Sequence, residues 1–182
     1  MATVISGNAD QDKKTVLGDT ISGVVAGTLG VVALNQVANF LYDREDPAAL
    51  ALEKEAHREI GADDMGPASL AARKINQNLQ LRLTRVQTDR LSNIIHYGLG
   101  AMPGAFYGIL ISRNKKIGVG HGFLYGLGLF LINDELLSVQ LGLANKPRKY
   151  PWQAHARGLA AHVALGVATY WGIQALNKAF RR

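Results

Sequence analysis

The feature that most constrains this chain is the stretch from Ile21 to Tyr42, which holds no charged residue. About 20 residues at ~1.5 Å rise cross a hydrocarbon core ~30 Å thick, so such a run fits a helix that spans a bilayer. Counting from Val16, the first predicted span covers 16–42. It is too long for the apolar region of a signal peptide, and no clear small-x-small cleavage site follows it. We therefore read it as a retained helix.

Three more stretches share this character. Residues 92–112 are uncharged between Arg90 and Arg113 and carry Pro103, a kink site that neighbouring helices can satisfy. Residues 117–143 follow the short basic turn Arg113–Lys116 and meet Asp134 and Glu135 near their far end. Residues 158–176 contain His162 and run towards Lys178, Arg181 and Arg182. The sequence thus predicts an all-α integral membrane bundle of four transmembrane helices, in one domain covering 1–182.

The polar stretch 43–91 is the predicted water-facing loop. Asp46-Pro47 is a helix start, with a capping carboxylate and proline at the first position, and the helix should stop at Gly61. A second amphipathic helix from Pro67, with Ile75, Leu79, Leu83 and Val86 on one face, is expected to lie on the bundle or membrane and to run into the second span.

Composition narrows the functional classes. The chain has no cysteine, which removes disulfides, thiol catalysis and thiolate-ligated metals. Its net charge of +6 sits beside apolar segments rather than on a basic stripe with interleaved aromatics, which points to lipid headgroups and away from nucleic acid. There is no Gly-x-Ser-x-Gly elbow and no phosphate-binding glycine loop, so enzyme chemistry has no motif to rest on. With four spans, both termini and the 113–116 turn share one side. Lys13, Lys14, Arg113, Lys115, Lys116, Lys178, Arg181 and Arg182 then place that side in the cytoplasm.

Glycines recur every four residues: Gly100, Gly104 and Gly108 in the second stretch, Gly118, Gly122 and Gly126 in the third. Gly158 and Gly166 flank His162, and the first stretch has Gly23 and Gly27. Small residues at this spacing let helix backbones approach closely where lipid supplies no hydrophobic drive. They predict tight packing within the chain, in a homo-oligomer, or against other membrane subunits of an assembly in which the chain is a structural or accessory component.

Antiparallel spans would also bring His96, Asp134, Glu135 and His162 to one depth, with His155, Arg157, Asn35, Gln36 and Asn39 nearby. Ionisable residues inside a span are costly and commonly functional. Three readings stand: a metal or haem site, a proton relay, or carboxylates that cap the third span and pair with Arg157 while the histidines bond locally. The cofactor is left unknown. His121, at the opposite end, falls beside the glycine groove.

The run Tyr150-Pro-Trp-Gln-Ala-His-Ala-Arg-Gly158 suits a return into the membrane. Together with Asp134-Glu135, His96-Tyr-Gly-Leu-Gly100 and the acidic segment Asp43 to Pro47, it resembles the YagU-like inner-membrane proteins of bacteria. The resemblance extends from about Gly18 to the C-terminus. It implies a multi-pass protein of the bacterial cytoplasmic membrane, and supplies no catalytic residues.

Overall fold

The computed structural model describes the backbone of residues 2–63 and 65–180 and the side chains of 16–63 and 65–179. The side chains of Asp10, Asp12, Lys13, Lys14, Arg181 and Arg182, which enter the charge argument for sidedness, lie outside the described residues. Within them the chain is all-helical: α1 (Ala2–Tyr42), α2 (Pro47–Glu59), α3 (Pro67–Asn78), α4 (Arg85–Arg113), α5 (Phe123–Leu129), α6 (Ser138–Gln140) and α7 (Trp152–Phe180). A π-helical segment, Phe130–Leu137, joins α5 to α6.

Three helices, not four, are long and apolar enough to cross a membrane: Val16–Tyr42 of α1, α4, and Trp152–Ala179 of α7. The expected third span, 117–143, is no single helix. Lys115–Gly118 forms a 3-10 turn, and Gly120, His121 and Gly122 all take positive φ, at 81°, 50° and 92°. Left-handed backbone is nearly free for glycine but cannot continue a right-handed helix. Gly122, predicted as part of a packing face, therefore also makes a turn, and the helix begins only at Phe123. Beyond it lie pieces of 7, 8 and 3 residues, the middle one π-helical and holding Asp134 and Glu135.

The loop also departs from expectation. α2 begins as predicted, with the Asp46 carboxylate accepting from the Ala48 N–H at 2.7 Å. α3 stops at Asn78 instead of running on, because Gln80 and Arg82 adopt φ of 51° and 53°. A new helix starts after Thr84, whose side chain and that of Gln87 form a reciprocal capping box. The 92–112 stretch thus lies inside a longer helix that runs through Pro103 without a break. Leu70 and Ala72 are the buried residues of α3, while Leu79 and Val86 are exposed, so the predicted apolar stripe is not the packing face.

α1 is the central post, packed on α4 along one side and α7 along the other. Backbone proximities fix the directions. Gly27 lies against Gly100 and Gly23 against Gly104, while Ala26 lies against Gly172 and Gly30 against Leu165. Both neighbours therefore run antiparallel to α1 and parallel to each other. The chain between them must return the length of the bundle. It does so along α7, with Gly122 beside Gly166, Gly126 beside His162 and Phe130 beside Gly158.

Large apolar side chains face outward along these helices, among them Leu29, Ile94, Met102, Phe106, Leu124 and Trp171. So much exposed apolar surface suits lipid rather than water. Inside, Tyr107 of α4 stacks on Tyr125 of α5, centroids 4.2 Å apart and planes within 3°.

Candidate functional site

The glycine faces close on one another inside the chain. A methyl at Gly104 would stand 2.5 Å from the Gly23 carbonyl oxygen and 2.9 Å from the Gly27 Cα. At Gly108 it would meet the Asp19 carbonyl oxygen at 2.5 Å, and at Gly100 the Gly27 carbonyl oxygen at 2.9 Å. On the other side of the bundle, a methyl at Gly166 would sit 2.6 Å from the Gly126 amide nitrogen, and one at Gly126 2.9 Å from the Val163 Cα. A methyl at Gly158 would stand 2.9 Å from the Phe130 ring, and one at Gly118 3.0 Å from Ile111 and Tyr170. These backbones touch because no side chain keeps them apart.

At the end of the bundle covered by α2 and α3 lies a cavity of about 450 Å³. Its deep walls are apolar: Val31 and Leu34 from α1, Leu99 from α4, Phe130 from the π segment, and Ala161 and Leu165 from α7. The polar groups on its wall are fewer: His57, His96, His155 and His162 line it, with Glu53, Asp134, Glu135 and Arg157. The volume and the apolar body with a few convergent polar groups are those of a small-molecule site.

The polar groups form separate pairs. The His96 Nε2 bonds to the Asn35 Oδ1 at 2.9 Å. The His162 Nδ1 donates to the Gly158 carbonyl at 3.0 Å, with the Asp134 Oδ2 at 3.5 Å. The His155 Nδ1 meets the Glu135 Oε1 at 2.5 Å, and its Nε2 meets the Pro147 carbonyl at 3.0 Å. Both of its ring nitrogens face acceptors. Either imidazolium meets carboxylate or the proton sits on Glu135, and in both cases the pair has no net charge. The π segment enables this: consecutive Asp134 and Glu135 both turn towards α7, one to each histidine. Of the four predicted site residues, His162 and Asp134 are thus brought together, whereas His96 and Glu135 take other partners. Among the described residues no three His, Asp or Glu side chains converge to hold a metal ion.

Arg157 does not pair with Asp134 or Glu135, contrary to the capping reading. It bonds both Glu53 oxygens, at 2.6 and 2.7 Å, and also bonds Glu45. The three side chains are 12%, 12% and 6% exposed. This charge-assisted tie fixes α2 and the end of α1 to the start of α7. The Glu45 Oε1 is buried and has no hydrogen-bond partner. The loop before α7 is tied to the same cap: Asn145 donates to Glu59 at 2.7 Å, Lys149 pairs with Glu59 at 3.0 Å, and Lys74 donates to the Gly142 carbonyl at 2.7 Å. Those bonds from Lys149 and Asn145 hold the Glu59 carboxyl below the usual carboxylate range.

Sequence reasoning missed Glu45, Glu53 and His57, which sit in a loop judged to be only water-facing. Glu53 and His57, one helical turn apart on α2, were the available signal for a polar face turned inward. His121, at the far end, stacks on Trp171 with centroids 5.7 Å apart. No protein-family model, curated protein or solved structure matches this chain.

Proposed function

We propose that this chain is a non-enzymatic, multi-pass membrane protein that binds a small molecule in the cavity beneath the α2–α3 cap. The cavity itself carries the reading, a mostly apolar chamber with a few polar groups on its wall, between helices packed closely elsewhere. The glycine ladders, which alone would argue for an accessory subunit docked through its helix faces, meet partners within the chain. A role in a larger assembly therefore has to rest on other surfaces. The return segment 123–140 is read as a broken pass beside α7, tolerable in a membrane because irregular backbone there lines a cavity. Placement in the bacterial cytoplasmic membrane with both termini inside follows from the Tyr150–Gly158 resemblance and the basic 113–116 turn.

Because the chain has no cysteine, a single Ala161→Cys reports on the cavity without background. In detergent this thiol is expected to react with a methanethiosulfonate reagent, whereas Ile173→Cys, in the closed core, does not. Equal protection of both thiols would sink the binding reading.

A further inference from the structure

The charge left over in the cavity, taken with its shape, specifies a class of ligand. The Glu135–His155 pair carries no net charge, and the His96 ring is held by a neutral amide. Arg157 supplies one positive charge against two carboxylates, Glu45 and Glu53, leaving one negative charge at that corner. Of these three, Glu53 and Arg157 line the cavity, while Glu45 is buried outside its lining with its Oε1 unbonded. Asp134 places a second carboxyl group on the wall of the same cavity. Its Oδ2 lies 3.5 Å from the His162 Nδ1, whose proton goes to the Gly158 carbonyl, and 40% of its side chain is exposed.

We propose, building on the binding function above, that the cavity takes a small amphipathic organic cation. Its ammonium group sits between Asp134 and the Arg157–Glu53 corner, and its apolar body lies against Leu99, Phe130 and Leu165. An anion of the same shape would face uncompensated carboxylates in a partly desolvated site, where such repulsion is poorly screened. A neutral analogue would fill the apolar half and leave Asp134 without a counter-charge.

Three probes with one body test this: 4-phenylbutylammonium, 4-phenylbutanol and 4-phenylbutyrate. Their binding is measured by titration calorimetry on the full chain in maltoside, with Ala161→Phe as the filled-cavity blank for partition into the micelle. The ammonium probe is expected to bind at least about tenfold more tightly than the alcohol, and the carboxylate least, since a hydrogen bond to a charged group is commonly worth that ratio. Asp134→Asn should erase roughly that advantage while leaving the alcohol unaffected, and thermal melts establish that each variant is folded. Equal affinities, or preference for the carboxylate, would overturn the cation proposal and leave the cavity as a binding site of other specificity. Failure of all three probes overturns it as well. The Ala161→Cys reaction then separates an open cavity with another ligand from no binding site at all.

Discussion

At the residue scale, Arg157 carries the most concentrated interaction in the described structure. Its guanidinium sits with two carboxylates in a nearly closed corner, where the planar fork is divided between them, Nη2 donating to both Glu53 oxygens and Nη1 to Glu45. Removing the cation strands Glu45 and Glu53 in a site of low exposure. Breaking a buried pair from one side costs about 3–5 kcal/mol, most of it the desolvation of the charge left behind. Arg157→Ala is therefore expected to lower the melting temperature sharply, whereas Glu53→Gln, which keeps a hydrogen-bond acceptor, should cost clearly less. Equal losses in thermal melts would show that packing rather than charge holds this corner. In the sequence, Arg157 was legible as a residue near a membrane surface and as a candidate partner of Asp134 and Glu135; its actual partners lie more than a hundred positions away, in a segment of ordinary loop composition.

At the element scale, the glycine faces differ in what a side chain would cost. Gly104 lies against the α1 backbone, and even a methyl would meet Gly27 and the Gly23 carbonyl. Gly98, also on α4, has nothing within 4 Å of an added methyl. Gly104→Ala is expected to destabilise the protein by about 1–3 kcal/mol, the usual cost of overpacking, and Gly98→Ala to be neutral or slightly stabilising. Comparison of the two melts checks this, and matching shifts would mean that α1 and α4 do not approach as closely as described. The four-residue glycine spacing in the sequence pointed to close approach. It could not separate Gly104, which packs, from Gly122, which combines packing with a turn at φ 92°. Spacing encodes which residues share a helix face only if the helix exists, and positive φ at Gly120, His121 and Gly122 ends it.

At the scale of the whole molecule, direction is the organising fact. α4 and α7 both run antiparallel to α1, so the segment between them must carry the chain back. The bonds from Asn145, Lys149 and Lys74 attach the end of that return to the α2–α3 cap. Cysteines placed one at a time at Asn114 and Lys146 should therefore react with an impermeant maleimide from opposite sides of the membrane. With termini inside, Asn114 is labelled only after the cells are opened and Lys146 in intact cells. Labelling of both from one side would refute the return pass, and exchange of the two patterns would reverse the orientation.

The sequence by itself determined three of the four apolar helices read from it, the acidic start of α2 and the close approach of helices through small residues. Each of these depends on residues near one another in the chain: hydropathy over some twenty positions, a cap beside its helix, glycines four apart. Tertiary structure decided what no local pattern encodes. Asp134 and Glu135 find different histidines because a π-helical segment turns both towards α7. Arg157 is claimed by Glu45 and Glu53 because α2 folds back over the bundle. The cavity is assembled from α1, α3, α4, the π segment and α7, so its lining is set by side chains that come together only in the folded chain.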